Sequence, residues 1–347
     1  MSGRWTERSV SAETPPEGEV VARARLRWPG MERGRPPGPR LTVLAGGVGA
    51  ARFLRGLVAA RPDAEITVVG NTADDIEVWG LHISPDLDTV MYTLAGRADL
   101  ERGWGLAGET WSALCAMEQL GGPGWFQLGD QDLATHLWRT ERLRRGVPLS
   151  RVTAELAERL RLPVRLLPMT DQRVTTRIRT GDHRDLHIQE YFVRERCEPE
   201  IAQVHYAGVE RARPGPGVLH AIEGADAVIL APSNPVMSLG PILALPGVRP
   251  AVRSAARAVA VTPIVAGAAI KGPAVAMLRA VGWEPTAEGV AAGYQDCATQ
   301  FVLDERDRRL APAITALGVQ PWLTDTLMVD LPAARRLAET VLEAAGV

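Results

Sequence analysis

The strongest constraint on the fold is a change of period where the regular part of the chain begins. Residues 41–45, LTVLA, are a short apolar run of β-forming type. Gly46, Gly47, Val48 and Gly49 follow, and residues 50–60 then space their apolar side chains as a helix does. A strand that turns on glycines into a helix is the opening unit of an open α/β sheet. Glycines let the backbone approach a ligand, and the following helix points free N–H groups at it. The loop is neither a full G-x-G-x-x-G nor a Walker loop, which needs a lysine. A tight turn without a ligand is the plain alternative. Arg52, on the first helical turn, either reaches a phosphate or faces solvent.

Acidic residues gather downstream of this loop. Residues 66–69 read as a second strand, and Asn71, Asp74 and Asp75 lie in the loop after it. Loops at the carboxyl ends of parallel strands form the ligand crevice of such sheets. Asp86 and Asp88 follow in PDLDT. Two apart on an extended segment, they fall on one side. Adjacent acids alone are commonly solvated turn residues. Two acidic loops beside a glycine cradle point instead to a divalent cation, because Mg²⁺ takes one or two carboxylates together with water and substrate phosphates. An N-cap of a helix starting near Thr89 is the alternative use of Asp86 or Asp88.

Residues 103–145 read as helical, with a break at Gly121, Gly122, Pro123 and Gly124. Asp132 and His136 stand at i, i+4, where a surface pair or an N-cap is commoner than metal ligation. Another helix spans 150–160, with Ser150 as its N-cap. VTTRIRT and DLHIQEYFV read as antiparallel strands joined at Gly181, Asp182 and His183. The α/β rhythm then returns. Residues 227–230 form a buried strand ending in Ser233, Asn234 and Pro235, which offer a hydroxyl, an amide and backbone groups at the edge of the glycine loop. Residues 258–261 form the next strand. Lys271, the only lysine in the chain, opens another glycine-rich helix start. It is either a phosphate contact or a solvated surface lysine. Asp330 caps a final helix that has Pro332 in its first turn and Gly346 after its end. The expected fold class is therefore α/β, a Rossmann-like doubly wound, mostly parallel sheet. Its core covers 41–100 and 211–347, with an inserted mixed helical and antiparallel subdomain at about 101–210.

Composition narrows the partners. The net charge of −2 gives no bulk attraction to nucleic acid. No apolar run reaches the ~18 residues of a membrane span. Cys115, Cys197 and Cys297 are scattered without a C-x-x-C, which reads as reduced packing thiols in a cytoplasmic protein. Residues 1–40 read as a disordered tail. Glu7, Glu13, Glu17, Glu19 and Glu32 argue against a transit peptide there.

Several motifs occur in a fixed order from residue 41 onward: AGGVGAARFL, GNTADDIEVWGLHISPDLDTVMYTL, LGDQDLATHL, LPMTDQRVTT, LAPSNPVMSLGPIL, FVLDERD and TDTLM. With them the chain resembles the 2-phospho-L-lactate transferase family of coenzyme F-420 biosynthesis, over one domain at 41–347. The resemblance implies an Mg²⁺-dependent, Rossmann-type homodimer that transfers a substituted phosphate group. Its acceptor would be the deazaflavin FO, and its donor a lactyl- or enolpyruvyl-diphosphoguanosine that releases GMP. By resemblance, Gly46, Gly47 and Gly49 match the nucleotide-phosphate loop, and Ser233, Asn234 and Pro235 the segment near the guanine nucleotide. Asp88 matches an aspartate that contacts FO. Gln127 falls at a second FO contact, where archaeal relatives carry a basic residue. Asp74 and Asp88 are the candidates for the metal, and either is a candidate proton acceptor. A carboxylate bound to Mg²⁺ is a poor base, so one residue does not do both. The alternative is a nucleotide-sugar-binding regulator of the gluconeogenesis-factor type, with the same glycine loop and no transfer. PDLDTVMYTL together with GNTADD fits the transferase better. An NAD(P) dehydrogenase fits least, because the glycine fingerprint is incomplete.

Overall fold

The computed structural model describes residues 38–269 and 272–347. Seven strands form the central sheet: β1 (Arg40–Ala45), β2 (Glu65–Gly70), β3 (Arg165–Pro168), β4 (Ala227–Leu230), β5 (Ala258–Val261), β6 (Gln300–Asp304) and β7 (Gln320–Thr324). Their order is β7-β6-β5-β4-β1-β2-β3, and every neighbouring pair is parallel. This is the doubly wound order, with its reversal between β1 and β4. The crevice outside the carboxyl ends of those two strands is where such sheets bind ligands.

Parallel strands are buried on both faces, so their apolar runs are continuous. Alternate residues feed two cores. Leu41, Val43, Ile66, Val68, Ile229 and Val302 pack on one face. Leu44, Val69, Val228, Leu230 and Phe301 pack on the other. The first face is covered by α1 (Gly47–Ala60), whose Phe53, Leu54 and Leu57 are fully buried, and by the C-terminal helix Leu331–Ala345. Asp330 caps that helix by accepting from Ala333 N at 2.7 Å, and Gly346 ends it in the left-handed region, as expected.

Between β2 and β3 lie a small hairpin (Ile76–Val78 with Leu81–Ile83) and four helices, α2 (Pro85–Leu94), α3 (Ser112–Gln119), α4 (Asp130–Arg144) and α5 (Leu149–Arg159). Between β3 and β4, the strand Thr175–Thr180 pairs antiparallel with Asp185–His187 and Ile201–Ala207.

Five expectations need correction. The stretch read as an insertion supplies β3 to the central sheet. That strand, RLLP, holds two leucines between an arginine and a proline, too short a run to announce itself. The antiparallel sheet has a third strand, 201–207, whose half-exposed residues alternate poorly. Helix α2 begins at Pro85 rather than near Thr89. Helix α5 begins at Leu149, and Ser150 sits inside its first turn, with its N–H and hydroxyl both donating to Asp171. Cys297 is buried and Cys197 half-buried, but Cys115 is exposed on α3. The expected tail falls almost wholly on residues 1–37, outside the described part; Arg40 already opens β1. Among the described residues no helix is long and apolar enough to cross a membrane.

Candidate active site

The glycine loop is shaped by what presses on it. Gly47 has φ of +70°, a left-handed conformation that glycine adopts without strain. A methyl group on Gly46 would collide with the Asp86 carboxylate and the Ser238 side chain, and one on Gly49 with the Pro232 carbonyl oxygen. The loop therefore needs glycine for close approach as well as for its turn. No N-cap side chain closes α1, so apart from the Gly47 N–H, which faces Asp86, its first-turn N–H groups are open to an anion. Across the sheet reversal, Gly46 N–H donates to the Ser233 hydroxyl at 3.2 Å. This bond ties the ends of β1 and β4 together.

Asn71, at the end of β2, organises the acids. It is fully buried, and its backbone N–H donates to Ala45 O at 3.0 Å. Its side-chain amide donates to Asp74 Oδ1 at 3.0 Å and to Asp86 Oδ2 at 2.9 Å, while its Oδ1 accepts from Ala73 N at 2.9 Å. The Gly47 N–H and the Ser238 hydroxyl also face Asp86 and favour its charged form. One carboxylate thus joins the cradle, the loop after β2 and the segment after β4.

Burial raises the pKa of this pair. Asp74 sits well above the ordinary carboxylate range, first because it is buried and then because Asp86 is close. Burial pushes Asp86 up to about 6, with the Asn71 amide opposing it. Asp74 Oδ2 is buried without a hydrogen bond of good geometry, although the Thr176 hydroxyl also favours the charged form of Asp74. Two carboxylates meeting on one amide, with one oxygen left over, call for a proton or a cation. Beside them, Asp75 Oδ2 accepts from Ser84 Oγ at 2.8 Å and lies 2.9 Å from His82 Nε2.

Asp88 faces elsewhere. Because α2 starts at Pro85, Asp86 and Asp88 lie in a helical turn, where residues two apart point roughly 200° apart. The side chains do not share a face as expected. Asp88 instead pairs with Arg139 of α4, whose Nη1 donates to Oδ2 at 3.0 Å and whose Nη2 donates to Oδ1. Burial alone would lower the pKa of this guanidinium, but the charge and hydrogen bonds of Asp88 together with Tyr92 and Asp75 more than offset it. His136 Nδ1 lies 3.3 Å from Arg139 Nη1. His136 Nε2 lies 3.1 Å from Asp132 Oδ1, off the line of a hydrogen bond. Tyr92 donates to that same Asp132 oxygen at 2.5 Å. Asp132 and His136 therefore form part of a buried chain rather than a surface pair.

The segment after β4 is held from within. Asn234 Oδ1 accepts from Val236 N and Met237 N, both at 3.0 Å, and caps the turn that Pro235 opens. The crevice thus combines first-turn N–H groups with Asp74 and Asp86, two acids of raised pKa, and Asp88 stands to one side of it, locked to an arginine. Such a set suits the handling of a phosphate ester.

Comparison with known proteins agrees. The sequence model of 2-phospho-L-lactate transferase CofD matches residues 41–335. The chain belongs to the 2-phospho-L-lactate transferase family. Among the relatives of this family, the phosphoenolpyruvate transferase of Kitasatospora aureofaciens is 48% identical over 310 residues, covering 87% of this chain and 97% of that protein. The 2-phospho-L-lactate transferase of Methanosarcina mazei is 39% identical over 304 residues, covering 88% of this chain and all of that protein. In fold, the chain is similar to a UPF0052-family protein of Bacillus halodurans, with TM-score 0.59 and 17% identity over 90% of this chain and all of that one.

Within this transferase-family fold, Gly46, Gly47, Gly49, Ser233, Asn234 and Pro235 lie at one crevice, with Asp74 beside them. Asp88 belongs to the α2–α4 contact. Gln127 is exposed in the loop between α3 and α4, flanked by Phe126 and Leu128, which pack on the small hairpin. Lys271 lies outside the described residues. Sequence reading placed Asn71 in the acidic loop without giving it a role, and passed over Asp86 as the partner of the cradle, Ser238 and Arg139. Arg139 had a signal: Asp132, His136 and Arg139 recur at i, i+4 and i+7 along one helical stripe.

Proposed function

We propose that the chain transfers a phosphorylated three-carbon acid from its diphosphoguanosine donor to the terminal ribityl hydroxyl of FO, a step of coenzyme F-420 biosynthesis carried out in the cytoplasm by a homodimer. The hydroxyl oxygen bonds to the phosphorus that bears the three-carbon acid. The bond from that phosphorus to the GMP oxygen breaks, GMP leaves, and the hydroxyl proton passes to a carboxylate. The product is a phosphodiester. An enolpyruvyl donor is the better choice, since the relative at 48% identity is named a phosphoenolpyruvate transferase and the one at 39% a 2-phospho-L-lactate transferase.

The observation that carries this reading is the contact between the glycine cradle and Asp86, with Asp74 held on the same amide. Transfer of this kind needs positioning and charge neutralisation more than covalent help from the protein. The N–H groups of the first turn of α1 beyond Gly47, whose own N–H faces Asp86, would bind the diphosphate. Asp74 and Asp86 would hold Mg²⁺, and Asp74 Oδ2, buried without a hydrogen bond of good geometry, fits that role. Asp88 fits it less well, because Arg139 takes both its oxygens. Among the described residues no group of three or more His, Cys, Asp or Glu is arranged for a metal, so the cation would rest on two carboxylates and the substrate. When bound, it would neutralise charge on the diphosphate. Asp88 is left to meet the acceptor hydroxyl.

The test is to incubate the protein with FO, Mg²⁺ and each donor in turn and to follow products by chromatography and mass. The expected result is an FO phosphodiester with equimolar GMP, formed fastest from the enolpyruvyl donor. Tight binding of a UDP-sugar with no product from any donor would overturn the reading.

A further inference from the structure

The contact between α2 and α4 carries more charge than joining two helices requires. Asp88 and Tyr92 stand one turn apart on α2, facing the Asp132, His136 and Arg139 stripe of α4. Arg139 is fully buried and is the largest of the completely buried side chains. Its Nε, like the nearby Asp75 Oδ1, has no hydrogen-bond partner, and His136 Nε2 has only the poorly aligned Asp132 contact. A buried ionic chain is weak support for stability, since well-packed apolar residues often serve as well. Its use lies in geometry. A guanidinium gripping a carboxylate with two parallel bonds fixes the plane of that carboxylate.

We propose that Arg139 is a positioning residue for the transfer, acting through Asp88. It occupies one edge of the carboxylate, holds the plane still, and leaves the remaining lone pairs for the acceptor hydroxyl. Asp132 holds Tyr92 of α2 from α4, which keeps the two helices in register around this pair. Asp88 is then a fixed hydrogen-bond acceptor and is not part of the cation site. This inference rests on Asp88 as the acceptor contact in the proposed transfer.

The experiment is steady-state kinetics of the full chain with FO, the enolpyruvyl donor and Mg²⁺. The variants are Asp88→Asn, Arg139→Lys and the double Asp88→Asn/Arg139→Gln. Arg139→Lys keeps the charge and loses the fork. It is expected to lower kcat/KM for FO on the order of 100-fold, the size of effect that a misplaced contact produces, with KM for the donor unchanged. The double variant buries no unpaired charge, so it is the safer one to fold. It is expected to be no slower than Asp88→Asn alone, because a residue that acts through Asp88 has nothing left to position. Losses that multiply in the double variant, or wild-type kcat/KM for FO in Arg139→Lys, would overturn the inference and leave the transferase reading standing. A wild-type protein that forms no product would overturn both.

Discussion

Asp86 decides most about the site at the scale of single residues. Its ordinary pKa of 3.8 is raised to about 6 in the folded chain. Between those values the native state keeps a proton that the unfolded state releases, so stability falls as pH rises through that window, and the loss is complete above the folded pKa. Measured in chelator, the Tm difference between Asp86→Asn and wild type is therefore expected to grow in favour of the variant from about pH 4 to about pH 6.5. A difference that is flat with pH would contradict the burial argument. Asp88 depends on its ion pair with Arg139. Arg139→Gln strands its carboxylate in a buried place and is expected to cost about 3–5 kcal/mol in denaturant unfolding, most of it recovered when Asp88→Asn is added. Sequence reading saw both aspartates but treated them as one acidic face, because PDLD looks extended when the helix start is placed too late. Proline at the first helical position was the available signal, and it was not weighted.

Among the elements, the loops around α3 and α4 show how the outer part of the site is held. Glu109 accepts from Gln131 N and Asp132 N, both at 2.8 Å, at the start of α4. Asp130 in turn accepts from Ser112 N and Ala113 N, both at 3.0 Å, at the start of α3. Each helix start is thus capped by an acid from the other's segment. Glu109→Ala is expected to cost about 1 kcal/mol by denaturant unfolding, the usual worth of an N-cap. It should also weaken FO binding by loosening the start of the helix that carries Arg139. A loss of stability with FO affinity intact would separate the cap from the site. These caps were not legible, since GETW and GDQD announce acids without naming partners 17 to 23 residues away. The strands at 227–230 and 258–261 were legible to the residue because runs such as AVIL and AVAV, closed by proline a few residues on, admit little else. β3 was not, since its neighbours in the sheet, not its own residues, make it a strand.

For the whole molecule, the reversal of strand order between β1 and β4 puts free N–H groups, a hydroxyl and two acids around one crevice. The 3.2 Å bond from Gly46 to Ser233 is the seam. The regions around the seam come from parts of the chain far apart in sequence, so the crevice exists only in the finished fold. A ligand that bridges it stabilises the native state by mass action, about 2.7 kcal/mol when present at a hundred times its Kd. Under the proposed function this site falls into two parts: Asp74 and Asp86 would hold the cation that meets the diphosphate, while Asp88, fixed by Arg139, would meet the acceptor. Calorimetric titration of GDP with and without Mg²⁺, on wild type, Asp86→Asn and Asp88→Asn, tests that division most directly. The account predicts that Mg²⁺ tightens GDP binding in wild type and in Asp88→Asn, and that Asp86→Asn loses this dependence. Dependence retained in Asp86→Asn and lost in Asp88→Asn would contradict it.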